Sequence, residues 1–493
     1  MKRIRWAMFL AAVIAAVSGC GGSGDRVLVA KYLYDTKLTD AKRFDVVVFK
    51  YPKGPVENNV PKNYIKRLLG LPGEIIAIFF GNLYRWFPQP GEAPPHDDKD
   101  VNPLDLWRVR GGSRDGGYGM HDDHATDRKL FQEGRFEPIR KPPAVMFAMR
   151  RIVYDNDHPA KDLGALLPRW PEQGAWQAIS EHGFRHLGAK EEKVDWLRYQ
   201  HVLRPREGQP ILKNPRPELI TDFMAYNTFD QQVMGDDLEG GPVRPQPQTQ
   251  NWVGDLMLEC KVTVDRPEGE FWLELSKGIH RYRARWQLDS GACTLFRVDY
   301  RKENNGNMVE TGTAELATQP TRLKGTGAFK VRFANFDSRL TVWVDSDLPF
   351  GDGQVYPPPE ILSAADKDQR LTWDQIAERR GPTSNDLEPA SAGSRGAACK
   401  IHNLKLWRDT YYTRDPAFGD ATPPDDWSDP RAWHGLRAID FRTLYVQPGH
   451  YLCLGDNSPS SSDSRDWGLV PERLMLGRAL LVYFPFDRAG SIR

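Results

Sequence analysis

The sequence predicts a mainly β protein in which a discontinuous β scaffold, drawn from both ends of the chain, carries an inserted jelly-roll β-sandwich. Three observations lead there. Fifteen Trp, 38 Pro and 43 Gly, with few long apolar runs at helical spacing, are a composition of short strands and turns. Apolar, β-branched runs near each terminus are too few on either side to close a core alone. Between roughly residues 217 and 413, alternating runs follow one another with short turns, as in an antiparallel sandwich. At 493 residues the chain also exceeds one ordinary core, so two or three domains are expected.

The elements follow in order. Met1-Lys-Arg-Ile-Arg5 is positively charged, and Trp6 to Val17 is apolar but too short to span ~30 Å of hydrocarbon comfortably. Val17-Ser-Gly-Cys20 has the pattern of a bacterial lipobox. Residues 1–20 therefore read as an export signal, with Cys20 becoming the acylated first residue of the mature chain. A short transmembrane anchor, with Cys20 an ordinary thiol, is the alternative. Either way the folded part is expected on a membrane, on its extracytoplasmic side.

Strands are expected at Arg26–Tyr32, Phe44–Tyr51, Tyr64–Leu69 and Glu74–Phe80, the last two flanking a Leu71-Pro-Gly73 turn. Gly449–Gly455 and Leu476–Phe484 supply two more at the far end. Residues 24–84 and 441–487 thus complete one another. Residues 85–216 are polar and Gly-rich over long stretches and read as an irregular insert, within which the more apolar Pro143–Tyr154 and Trp170–Trp196 are expected to cover the next domain, and 414–440 reads as a linker. In the sandwich, 217–413, Cys399–Trp407 and Phe329–Asp345 resemble strands of laminin G-like or concanavalin-like jelly rolls. Trp272, Trp286 and Trp343 read as core aromatics, with a sugar-binding face as the alternative.

Bulk charge excludes one class of partner. Lys and Arg total 67 against 66 Asp and Glu, with no basic stripe, so no nucleic-acid partner is expected. His121-Asp-Asp-His124 and His96-Asp-Asp98 match no metal-site spacing, and neither metal nor cofactor is expected. Among Cys260, Cys293 and Cys399 one disulfide is expected, its pairing unreadable. Cys453 reads as buried rather than reactive.

Two segments carry chemistry: Asn63-Tyr-Ile-Lys-Arg-Leu-Leu-Gly-Leu-Pro-Gly73 and Gly455-Asp-Asn-Ser-Pro-Ser-Ser-Ser-Asp-Ser-Arg465. A serine hydroxyl is a weak nucleophile near neutral pH and needs a base beside it. A lysine serves if burial lowers its pKa from about 10.4. Lys66 sits in an apolar strand with Tyr64 near it, and alternation sends Arg67 to the opposite face.

Almost letter for letter, the two segments resemble the lysine box and the C-terminal box of type I signal peptidases, membrane-bound serine–lysine proteases. The resemblance implies Lys66 as general base and Ser461 as the hydroxyl that orients it. It implies an ion pair of Asp463 with Arg465, flanking Ser464, and a turn at Gly455-Asp456-Asn457. Ser458-Pro459 departs from the family at a position expected on the loop surface. The family's nucleophile box, Ser-Met-x-Pro-Thr-Leu, is absent. Gly24-Asp25 matches the Gly-Asp that follows it, and counting back about eight residues lands on Ala16. Ser23 is the candidate nucleophile that remains once Ser18 leaves with the signal.

The implied function is a membrane-associated serine endopeptidase cutting signal peptides from exported precursors. The alternative is a catalytically inactive lipoprotein of the same scaffold, acting through its lectin-like insert and leaving a glycan or protein ligand of the sandwich open.

Overall fold

The computed structural model describes residues 26–31, 34, 39–52, 62–86, 131, 133–159, 168–179, 182–188, 192–202, 216–222, 251–303, 307–357, 372–414, 420–437, 442–458, 461–484, 486 and 489–492. Cys20, Ser23, Gly24 and Asp25 lie outside the described residues, as do the His96 and His121–His124 stretches.

The N-terminal part gives β1 (Arg26–Ala30), β2 (Val46–Lys50), β3 (Asn63–Gly70), β4 (Ile75–Phe79) and β5 (Asn82–Trp86). Then come β6 (Glu137–Pro138), helix α1 (Pro143–Met149), β7 (Arg151–Asp155), β8 (Trp176–Ile179), β9 (Gly183–Leu187) and β10 (Asp195–Arg198). The central strands are β11 (Leu256–Val264), β12 (Glu270–Lys277), β13 (His280–Gln287), β14 (Ala292–Lys302), β15 (Met308–Pro320), β16 (Gly327–Phe336), β17 (Arg339–Val344) and β18 (Gln354–Val355). Helix α2 (Trp373–Arg380), β19 (Ala390–Arg395) and β20 (Ala398–Arg408) follow. The C-terminal part adds β21 (Arg442–Tyr445), β22 (His450–Leu454), the short helix α3 (Ser464–Trp467), β23 (Val470–Pro471), β24 (Met475–Phe484) and β25 (Gly490–Ser491).

The two ends interleave. One sheet runs β1-β24-β2-β3-β22-β23, with β25 on β24, so strands from either terminus alternate across it. A second runs β21-β4-β5-β6. Leu69, Ile76, Leu444, Leu452 and Leu454 share one buried cluster between these sheets. Neither end holds enough strands to bury its own apolar faces, which is why they pair.

Two larger sheets, β10-β19-β12-β13-β14-β15 and β18-β17-β16-β11-β20-β9-β8, form the sandwich. Leu273, Ala284 and Leu295 of the first lie in one buried cluster with Leu258, Val331, Val342 and Ile401 of the second. The alternating residues on each strand face away, as the two-residue period requires.

The structure corrects several expectations. The stretch 85–216 is not irregular throughout, because β7, β8 and β9 extend the eight-stranded sheet and β10 pairs with β19. They fall largely in the apolar stretches Pro143–Tyr154 and Trp170–Trp196, expected to cover the next domain, but at four or five residues each strand is too short to show a period. In the expected linker, Trp433 is fully buried. Cys260, Cys293, Cys399 and Cys453 are all free and buried, so no disulfide links the described cysteines. Trp286 sits in the sandwich core and Trp343 packs under Phe147 of α1, whereas Trp272 lies on the outer face of the six-stranded sheet.

A buried charged joint ties scaffold to sandwich. Asp255, Asp337 and Asp409 converge there. Lys141 Nζ lies 2.6 Å from Asp337 and 2.8 Å from Asp409, and Lys277 pairs with Asp255. Arg380 of α2 donates to the Tyr84 hydroxyl of β5 at 2.8 Å. The cations make this burial tolerable, since an unpaired charge would cost several kcal/mol. Gly81, at φ +75°, lies against the Tyr411 ring, and a Cβ there would sit 2.2 Å from it.

Candidate active site

Lys66 lies on β3, opposite Val47 of β2, while its neighbour Arg67 is opposite Leu454 of β22. Two adjacent cations on one strand therefore serve opposite faces. The Lys66 amine donates to Ser461 Oγ at 2.9 Å, closing a contact across 395 residues of sequence. Burial of the amine pulls its pKa below the ordinary lysine value; the charge of Arg465 works the same way, and Asp463 and Asp456 oppose it. Tyr64, two residues back on the same face, places its ring centroid 6.0 Å from the amine. Tyr51, Phe49 and Trp467 pack around that ring.

Gly455 makes the contact possible. A Cβ at this position would lie 2.1 Å from Ser461 Oγ and 3.3 Å from the Lys66 amine, so only glycine admits both.

The loop that carries Ser461 is held by a buried ion pair. Arg465 donates Nε to Asp463 Oδ1 at 2.9 Å and Nη2 to Oδ2 at 2.6 Å, with neither side chain exposed. Such two-pronged pairing is the strong geometry for guanidinium and carboxylate. Asp463 also accepts from the Gly455 amide at 3.0 Å. It caps α3 through the Arg465 amide as well. Ser464 Oγ accepts from the Cys453 amide at 3.0 Å, pinning α3 to β22. Burial pushes the Cys453 thiol far up, so it is no thiolate.

Sequence reasoning missed three things here. Arg67 pairs in two-pronged fashion with Asp456, at 2.9 and 2.7 Å, and also donates to the Phe44 carbonyl at 2.9 Å. Ser458, expected on the loop surface, is buried and accepts from Arg465 Nη1 at 2.6 Å. Thr413, far upstream, accepts from the same Nη1 through its carbonyl and its hydroxyl. The signal for Ser458 was the buried arginine itself, whose five donors two carboxylate oxygens cannot satisfy. Asn457 is exposed.

The arrangement supplies a desolvated amine, a hydroxyl that fixes its direction, and a rigid loop behind both. Those are the parts of a general base.

Comparison with known proteins follows the same geography. The family model described as signal peptidase, peptidase S26, matches residues 20–85 and 408–484. Signal peptidase I of Buchnera aphidicola is 44% identical over 46 residues, which is 9% of this chain and 15% of that protein. A probable signal peptidase I-2 of Synechocystis is 42% identical over 55 residues, 11% of this chain and 25% of its own length. The mitochondrial inner membrane protease subunit 1 of Xenopus tropicalis is 40% identical over 52 residues, 10% of this chain and 31% of its own. The matched stretches thus span under a third of these relatives. Among solved structures, a Bacillus subtilis carbohydrate-binding module, CBM66, is 9% identical at a TM-score of 0.17, over 32% of this chain and 72% of that one. Galectin LEC-6 of Caenorhabditis elegans is 9% identical at 0.18, over 33% and 92%. Among the described residues no helix is long and apolar enough to cross a membrane. The two ends of the chain that build the lysine site are the parts whose sequence is similar to signal peptidase I.

Proposed function

We propose that this chain is a membrane-anchored, signal-peptidase-like protein in which Lys66 is the general base of a serine–lysine endopeptidase acting on signal peptides of exported precursors. The 2.9 Å bond from the Lys66 amine to Ser461, made by an amine whose pKa burial lowers, carries the reading. In this scheme the neutral amine takes the proton of a serine hydroxyl as its oxygen attacks the scissile carbonyl, then passes it to the leaving amine. Ser461 orients the lysine, Gly455 admits both side chains, and the Asp463–Arg465 pair keeps the loop in place. Asp456, paired with Arg67, steadies the start of the same loop. Acylation at Cys20 would anchor the molecule, and Ser23, beside Gly24-Asp25, is the serine proposed to attack.

A second reading has one observation in its favour. The sequence holds no Ser-Met-x-Pro-Thr-Leu box, the segment that would carry the family's nucleophile, which favours a scaffold that keeps the lysine site without turnover.

One assay separates the two. The full chain, with Lys66→Ala, Ser23→Ala and Ser461→Ala variants, is incubated with a signal-peptide-bearing precursor and the product sequenced. Cleavage lost in the first two variants upholds the peptidase. Turnover retained in Lys66→Ala sinks the serine–lysine assignment, and no cleavage by the unaltered chain leaves the inactive scaffold.

A further inference from the structure

The outer face of the six-stranded sheet carries a second constellation, unrelated to the lysine site. Its inner-facing residues are aliphatic and aromatic core. Facing the other way, β10, β12, β13 and β14 bring arginines and aromatic rings into two adjacent rows. In one row Trp196 and Trp272 flank Gly393, with Arg285 next across the sheet. A Cβ at Gly393 would lie 2.8 Å from the Trp196 ring, so the glycine lets the two indoles close to 6.2 Å. In the next row stand Arg198, Glu274, Arg283 and Phe296.

Charge on this face is unbalanced at its centre. Glu274 is fully buried and accepts from Arg198 at 3.0 Å, Arg281 at 2.8 Å and Arg283 at 2.6 Å. Three guanidinium groups thus share one carboxylate, which their charge lowers to about 2 despite its burial. Glu388 and Glu310 stand 3.6 and 3.5 Å from Arg198 and Arg283 on the rim; Glu270 pairs with Arg395 and accepts from the Trp272 indole N–H at 3.0 Å, and Glu315 of β15 stands across from Phe296. Arg285 has no carboxylate partner among the described residues; it donates to Thr294 at 3.2 Å and packs beside the stacked Trp272 and Phe296 rings, 5.7 and 5.0 Å from their centroids. Arg198 and Arg283 flank the Trp196 ring at 5.6 and 5.5 Å. A carboxylate held by three arginines is no proton donor, and Glu274 serves instead to align the guanidinium groups around it.

We infer that this face is a binding site for a carboxylate-bearing polysaccharide, a chain of uronic-acid type. Arg281 is buried and its remaining donors go to the Glu388 and Asn385 carbonyls, whereas the half-buried Arg198 and Arg283, aligned by Glu274, and Arg285 beside them are forks that can meet carboxylates. The half-buried Trp196 and Phe296 rings beside them, backed by the buried Trp272, offer apolar platforms for the C–H faces of sugar rings. A peptide strand would draw its affinity from backbone pairing at a sheet edge. Side chains on the face of a sheet offer no such pairing, and this distinguishes a ring-bearing polyanion from an acidic peptide. The site stands independently of the peptidase reading.

The test titrates the full chain with oligogalacturonate, its methyl ester and poly-glutamate. The expected result is saturable binding of oligogalacturonate, little for the uncharged ester and little for poly-glutamate. Arg285→Gln and Trp196→Ala should each weaken binding by about tenfold or more. Melting temperatures of both variants are read alongside, so that weakened binding by a variant that remains folded is told apart from loss of the fold. Absence of oligogalacturonate binding, equal binding by both variants and the parent, or equal affinity for poly-glutamate would each overturn the assignment.

Discussion

Gly455 and Ser461 approach so closely that one added methyl group on the glycine would overlap the serine hydroxyl at 2.1 Å. The consequence is sharp because the same methyl would press on the Lys66 amine. Gly455→Ala should displace Ser461 and break its bond to Lys66 while leaving the sandwich intact. On the proposed peptidase reading, precursor cleavage should fall by about a hundredfold or more, the scale on which misplaced catalytic groups cost. Near-parental activity in this variant would show that the Lys66–Ser461 contact is dispensable.

On the proposed serine–lysine reading, Lys66 also sets a pH dependence. Its folded-state pKa lies below the ordinary lysine value because the amine is buried. The neutral form, and with it the cleavage rate, should rise with pH and level off below about 10.4. Stability runs the same way. Between the lowered folded pKa and the unfolded value the unfolded chain binds more protons, so stability rises with pH across that window. Lys66→Met should remove that slope in denaturant titrations at several pH values.

The Asp463–Arg465 pair is fully buried, and removing one partner strands the other. Asp463→Ala should cost about 3–5 kcal/mol, read as a shift in the denaturation midpoint. Ser458→Ala removes one acceptor of Arg465 and should cost about 1–3 kcal/mol. A Ser458→Ala variant with an unchanged midpoint would mean that the buried hydroxyl contributes nothing.

At the joint, burial pushes the Asp409 carboxyl up to about 7, with Lys141 pulling it down and Asp337 and Asp255 pushing further. A carboxyl with a raised folded pKa contributes stability that is fully present below about 4 and is lost as pH rises through the folded value. Unfolding midpoints should therefore drop between about pH 4 and 7 in the parent. In Asp409→Asn that segment of the profile should be flatter.

The lysine site was legible because its residues occur in two ordered runs, and order survives any intervening length. Lys66 and Ser461 could be paired across the whole chain on that ground. The partner of Arg67 could not, since Asp456 sits in a turn whose direction depends on β22 finding β3. Thr413 was invisible for a like reason, being brought to Arg465 only by the path of the chain beyond β20. The sandwich announced itself through its long alternating strands. Its extra strands β7 to β10 were legible only as apolar stretches covering the sandwich, because four or five residues carry no period that marks a strand. The disulfide expected among Cys260, Cys293 and Cys399 rested on composition, whereas each thiol is in fact packed into core.

The interleaving of the two ends has a consequence in time. β24 fits between β1 and β2, and Ser461 meets Lys66 only after 395 further residues have been made. At ~5–20 residues per second, synthesis leaves Lys66 without its partner for tens of seconds. The sandwich can fold in that interval and bring its own ends together, which shortens the loop that must then close. A nascent chain therefore carries its lysine unassembled, and any activity of the site begins only when the last strands arrive.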